Sequence, residues 1–262
     1  MKNGDFLTIT SQNIFLPQQT VPELPEWDGI MQQPLQAIVA QVSLSNEQQC
    51  QSWYAQLNKA EQSQVQRAVQ IPLTFQMRVV ARYGLRLFLG QHLGIAPADV
   101  PIVYPNWQRP YLSPNDKSPI YFSLSYAKSR VWWLFSKHPI IGIDVQNYQP
   151  DILYHDIASS YYTPTECGLI NQSEYGAAIF FQLWTRREAL LKATGIGLHE
   201  DMRHWSVADG TQRLPINDVP LIHIDKWKNK NYFIKTFLLN REYVSIASDF
   251  DFDDVNIKKI TI

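Results

Sequence analysis

Apolar residues recur along this chain with two periods, and the switches between them mark out its elements. Residues 1–45 are rich in Pro and Gln and predict loops with short strands. Ser45-Asn46-Glu47-Gln48 fits a capping box and opens a helix to about Leu57. Asn58-Lys59-Ala60-Glu61 fits a second box, so another helix follows directly. Pro72 suits the first turn of a long helix through Leu93, in which Phe75, Val79, Tyr83 and Leu87 keep helical spacing. Short apolar segments then come at Asp99 to Tyr104, Ile120 to Ser125, Val131 to Phe135 and Ile140 to Val145, and read as strands.

The series then repeats. Thr163-Pro164-Thr165-Glu166 combines a cap, Pro at the first helical position and Glu at the third. Ser173 starts a further helix that Gly195 stops. Strand candidates follow at Trp205 to Val207, Pro220 to Ile224, Tyr232 to Leu238 and Tyr243 to Ala247. Helices then strands, twice over, predict an α+β chain of two similar lobes. The polar break around Asn147, Gln149, Pro150 and Asp151 sets the expected lobes at 1–146 and 147–262.

Composition narrows the classes. A chain of 262 residues, 45% apolar, can bury a substantial core without staples. Its formal net charge of −1 offers no basic footprint for nucleic acid. No run approaches membrane-spanning length and the start lacks a signal-like apolar region, so a cytoplasmic protein is expected. Cys50 and Cys167 are expected to be reduced thiols. His199 and His204 lack the companions of a zinc site.

Two segments carry candidate chemistry. In Trp184-Thr185-Arg186-Arg187-Glu188-Ala189-Leu190-Leu191-Lys192, Glu188 and Lys192 share one helical face. They continue a stripe of aromatics, Phe180, Phe181 and Trp184, which an ordinary surface pair has no reason to do. Ile140-Ile141-Gly142-Ile143-Asp144 is a buried-strand pattern that ends in a carboxylate. Asp144 and Glu188 together offer two hard oxygen ligands, suited to Mg²⁺ bound jointly with phosphates. Arg78, Arg82 and Arg86 recur every four residues; spacing alone reads them as a solvated basic face.

These segments resemble the 4′-phosphopantetheinyl transferases. The family pattern is Gly-Ile-Asp, then about forty residues, then Trp-x-x-(basic)-Glu-Ala-x-x-Lys and Gly-x-Gly-Leu. Gln108-Arg109-Pro110, Phe122-Ser123-Leu124-Ser125-Tyr126 and Ala81-Arg82-Tyr83-Gly84-Leu85-Arg86 resemble three further landmarks. The length points to the larger, surfactin-synthetase-activating class, a monomer of two lobes. The resemblance implies coenzyme A as substrate and the serine of an acyl, peptidyl or aryl carrier protein as acceptor, with Mg²⁺ as cofactor.

The resemblance also implies roles. Asp144 and Glu188 hold the metal, Glu188 takes the serine proton and Lys192 offsets charge on the transferred phosphate. Arg78 or Arg82 grips the 3′-phosphate, Arg109 and Pro110 cradle the adenine end, and Ser125 and Tyr126 line the nucleotide side. Arg187 replaces the family lysine and offers phosphate a bidentate fork. Two positions depart from the pattern. Gln146 stands where many relatives carry a second acid, leaving a neutral oxygen donor for the metal. Tyr126 stands in place of a histidine and can donate a hydrogen bond but brings no charge. Both departures raise an alternative, a non-catalytic module that binds coenzyme A or a carrier.

Overall fold

A computed structural model describes residues 6–9, 35–42, 47–105, 109–113, 119–196, 203, 205–208, 221–227, 230–252 and 255–261. The chain is mixed α+β. The described residues fall into two compact units, one made of residues 6–8, the described chain from Leu35 to Pro139 and the last strand, the other of Ile9 and the described residues from Ile140 to Phe252.

The first unit is a sheet with helices on it. Its strands are β1 (Phe6–Ile9), β2 (Leu35–Gln41), β5 (Tyr121–Ala127), β6 (Arg130–Ser136) and β11 (Val255–Thr261), in the order β1-β11-β2-β6-β5. A two-stranded ribbon, β3 (Ile102–Val103) and β4 (Tyr111–Leu112), stands apart from it. Helices α1 (Glu47–Ala55) and α2 (Lys59–Gln66) pack on α3 (Pro72–Leu93), and α3 packs on β5 and β6. The second capping box forms as read: Asn58 Oδ1 accepts from the Glu61 N–H while Glu61 accepts from the Asn58 N–H, both at 2.9 Å. Trp133 is fully buried against α3, donating to the Ala81 carbonyl at 2.8 Å.

The second unit places β7 (Ile141–Asn147), β10 (Glu242–Ser248), β9 (Lys230–Leu239) and β8 (Leu221–Trp227) in that spatial order, all antiparallel. Asn240 and Arg241 turn β9 into β10, both with positive φ, as a tight two-residue hairpin requires. Helix α6 (Gly176–Thr194) lies along β7, β10 and β9. Helix α5 (Pro164–Gln172) and helix α4 (Tyr154–Tyr161) pack against α6. The Thr163–Glu166 capping box is closed in both directions.

Several elements differ from the sequence expectation. The division falls between Pro139 and Ile140 rather than after residue 146, because β7 pairs with β10 along its whole length. Asp144 therefore belongs with Glu188. The last strand returns to the first unit, pairing in parallel with β2. Ser173 ends α5, and α6 begins at Gly176. Residues 97–99 form a short 3-10 turn before the brief strand Ile102–Val103. Trp205 to Val207 is irregular chain, not a strand. Ser45, Asn46, Gln108, Gly197, Leu198, His199 and His204 lie outside the described residues.

Candidate active site

One close approach sets the site. A Cβ on Gly142 would stand 2.0 Å from the Ala189 carbonyl oxygen and 2.5 Å from the Ala193 nitrogen. Only glycine lets the backbone of α6 rest this closely on β7. Side chains two apart on a strand share a face, so Asp144 and Gln146 follow Gly142 towards the helix. Glu188 and Lys192 each precede one of the two contacting alanines. Gly195, with φ of 70°, ends the helix just beyond Lys192.

The contacts follow from that placement. Lys192 Nζ donates to Asp144 Oδ1 at 2.7 Å and to the Ile143 carbonyl at 3.0 Å. Gln146 Nε2 donates to Asp144 Oδ2 at 3.1 Å. The charged partner of Lys192 is thus Asp144, across the helix–sheet interface, and not Glu188 one turn earlier. Glu188 makes no ion pair or hydrogen bond among the described residues. Burial, then the nearby Asp144 charge, push its carboxyl from 4.5 up to about 7, with Lys192 opposing. A carboxyl poised there can accept a proton near neutral pH.

The same shift has a stability consequence. The folded state holds the Glu188 proton more tightly than the unfolded chain, so stability falls as pH rises from about 4.5 through about 7. In metal-free protein, Glu188→Gln will therefore unfold at a higher temperature than the parent at pH 8 and at a similar one at pH 4.5. The gain is at most roughly 3 kcal/mol. Equal melting curves at pH 8 would show that water screens the carboxylate.

No three His, Cys, Asp or Glu side chains converge among the described residues. The candidate cation donors are two carboxylates and one amide. Their chemistry suits a hard cation: the Asp144 charge and burial both raise the Glu188 carboxyl, a cost that a cation would relieve, and Gln146 brings an oxygen beside them when its amide turns over.

Arg187 takes a different role from the one its neighbour suggests. It is buried, with Nη2 2.5 Å from Glu166 Oε2, and its guanidinium lies between the rings of Tyr162 (4.9 Å) and Trp205 (4.8 Å). Glu166 also accepts from the Thr163 and Val207 N–H groups, each at 2.9 Å. Enclosed in this way, Arg187 anchors α6 to Glu166 of α5, a contact the resemblance did not imply. The capping box gave Glu166 its place in sequence, but nothing local announced that it faces Arg187.

The arginine stripe of α3 splits in the same way. Arg86 is fully buried, bonded to Glu61 at 2.8 Å and 3.0 Å and to the carbonyls of Pro97, Ala98 and Val100. Tyr104 donates to the same Glu61 at 2.7 Å. Among the described residues Arg78 and Arg82 form no ion pair with an acid, although the Glu61 charge acts on Arg82. Arg82 bonds Gln64 Oε1 at 2.8 Å, Arg78 bonds the Gln64 carbonyl at 3.3 Å, and the buried Nε of each lacks an acceptor. Burial lowers the Arg82 pKa, with Tyr104 and Tyr126 among the groups that oppose the fall. Arg109, half-buried, donates to the Phe122 carbonyl, and burial pushes it down to about 10, which leaves it charged at neutral pH. Pro110 and Tyr126 are half-buried and Ser125 is buried.

Residues 140–247, which hold β7, α6 and β10, match the family described as the 4′-phosphopantetheinyl transferase superfamily. This part of the chain is similar to that superfamily. Asp144, Gln146, Glu188 and Lys192 all lie in it. The chain is also similar to 4′-phosphopantetheinyl transferase HetI of Nostoc sp., 32% identical over 44% of this chain and 49% of that protein. A putative 4′-phosphopantetheinyl transferase of Synechocystis sp., slr0495, is 24% identical over 69% of this chain and 79% of its own length. The L-aminoadipate-semialdehyde dehydrogenase-phosphopantetheinyl transferase of Schizosaccharomyces pombe is 30% identical over 55% and 61%. The chain thus spans about half the length of the Nostoc transferase. No helix among the described residues is long and apolar enough to cross a membrane.

Proposed function

We propose that this protein moves the 4′-phosphopantetheine group of coenzyme A onto the serine of an apo carrier protein of the acyl, peptidyl or aryl type. The observation that carries the reading is the joint placement of Asp144, Glu188 and Lys192 where β7 meets α6. The serine hydroxyl forms a bond to the β-phosphorus, the bond from that phosphorus to the bridging oxygen breaks, and 3′,5′-ADP leaves with the electron pair. Glu188 takes the serine proton. Lys192 offsets the charge that builds on the transferred phosphoryl oxygens. Asp144, Glu188 and the Gln146 amide would hold Mg²⁺, which supplies Lewis-acid neutralisation of the diphosphate.

The nucleotide contacts are proposed for α3, β5 and the segment at Arg109. Arg78 and Arg82 take the 3′-phosphate with Tyr126 nearby. Arg109 and Pro110 take the adenine end, and Ser125 lines the same side. Length and the repeated order of helices then strands favour the surfactin-synthetase-activating class, a cytoplasmic monomer of two related lobes. The reading is tested by mixing protein, coenzyme A, Mg²⁺ and a panel of apo carriers, and separating the nucleotides. Carrier-dependent release of 3′,5′-ADP is expected. Binding of coenzyme A without that release, across the panel, would instead favour a binding module, the alternative that Gln146 and Tyr126 raise.

Two substitutions probe the assigned contacts. Gln146→Glu adds a charged oxygen and will lower the Mg²⁺ concentration for half-maximal rate, by about tenfold. An unmoved titration would take residue 146 away from the cation. Arg82→Ala will raise KM for coenzyme A more than for its 3′-dephospho analogue, by roughly tenfold for one lost charge-assisted contact. Equal effects on the two substrates would remove Arg82 from the 3′-phosphate.

A further inference from the structure

Thr236, Ser245 and Asp144 form one row across the sheet: Ser245 pairs directly with Thr236 on one side and with Asp144 on the other. Helix α6 engages each member with a different residue. Arg186 Nε donates to Thr236 Oγ1 at 3.0 Å, Ser245 Oγ contacts Thr185 Oγ1 at 3.0 Å, and Lys192 holds Asp144. Thr236 and Ser245 are themselves 3.0 Å apart. Thr185, Arg186, Thr236 and Ser245 are all buried.

The donor inventory fixes the direction of this chain. Thr185 spends its one hydroxyl proton on the carbonyls of Phe181 and Gln182, so it accepts from Ser245. Ser245 has then used its own proton, so Thr236 donates to Ser245. Thr236 in turn accepts from Arg186. The bonds run one way, from a buried cation through three hydroxyls to helix carbonyls, and bonds so aligned polarise one another. Because Thr185 and Arg186 are adjacent, the chain closes on itself through α6 and ties that helix to β9 and β10.

An apolar helix–sheet contact would hold these elements together as firmly, since buried polar groups cost desolvation. Apolar packing, however, tolerates sliding, whereas directed hydrogen bonds do not. Gly142 sets how near α6 comes to β7, but a glycine has no side chain to form a directed contact. We infer that the Arg186–Thr236–Ser245–Thr185 chain is a positioning device that fixes the register of α6 on the sheet and thereby places Glu188 and Lys192 over Asp144. Thr236, Ser245 and Thr185 are then positioning residues for the transfer. The inference rests on the proposed function. A displacement of about 1 Å at reacting groups costs up to ~10²-fold in rate, so a relaxed register shows in turnover before it shows in folding.

The test compares Thr236→Val, which keeps shape and loses the hydroxyl, with Thr236→Ser, which keeps the hydroxyl and loses a methyl. Turnover is read well below the unfolding midpoint of every variant. Thr236→Val is expected to lower kcat by roughly tenfold or more with KM for coenzyme A unchanged, and Thr236→Ser to stay within about twofold of the parent. Mn²⁺ affinity measured by calorimetry on the same proteins, without carrier or coenzyme A, is expected to rank them in the same order. Should the parent turn over no carrier at all, the proposed function fails and the calorimetric ranking still decides the positioning role. If Thr236→Val does not fold, Thr185→Val replaces it with the same expectation. Parent-like kcat and Mn²⁺ affinity in the hydroxyl-free variant, or equal losses in the valine and serine variants, would overturn the inference.

Discussion

Glu188→Gln will lower turnover by about 10²-fold or more at saturating Mg²⁺, the usual scale for loss of a general base. The fold will survive, because Glu188 makes no ion pair or hydrogen bond among the described residues and its burial is unfavourable to its charge. The variant combines lost activity with gained stability above neutral pH, as expected of a group held in a costly state for chemistry rather than for folding. A structural residue would show the opposite sign in stability. Turnover comparable to the parent would remove Glu188 from the reaction, whatever the stability result.

Glu166→Gln will show the largest loss of stability. The substitution leaves the Arg187 guanidinium buried between two rings without its counter-charge, and weakens the contacts to the Thr163 and Val207 N–H groups. Breaking one side of a buried pair costs about 3–5 kcal/mol. The double variant Glu166→Gln with Arg187→Met removes the stranded charge and will recover part of that loss, measured in a denaturant double-mutant cycle. A loss below about 1 kcal/mol for the single variant would mean that water reaches the pair.

How far the sequence was legible depended on how local each signal was. Both capping boxes whose residues are described, the extent of α3 and the stop at Gly195 depend on neighbours within a turn, and they read correctly. Strand β11 did not, because its buried residues make sense only beside β2, more than two hundred residues away. Helix α4 is short and carries no side-chain cap, so it left no mark. The lobe boundary was set on the polar break after β7, yet pairing with β10 decides where that strand belongs.

The site divides along the same line. Helical spacing and the strand pattern brought Asp144, Glu188 and Lys192 to notice, the family resemblance added Gln146, and the structure brings Asp144, Gln146 and Lys192 into contact with Glu188 close by. Spacing could not distinguish Arg86 from Arg82, or show that Arg187 pairs with a buried acid. Those outcomes were decided by Glu61 and Glu166, carboxylates on other helices. The hydroxyl row beneath α6 was equally silent, since Thr236 and Ser245 gain their meaning only from strand register.

The central claim is group transfer to a carrier serine, and intact mass spectrometry of an apo carrier tests it most directly. The carrier is weighed before and after incubation with the protein, coenzyme A and Mg²⁺, beside parallel samples with chelator and with Glu188→Gln. The account predicts a gain of one phosphopantetheine on the carrier serine, absent with chelator and strongly reduced with the variant. Unchanged mass for carriers of fatty-acid, polyketide and peptide type, with coenzyme A bound, would contradict it.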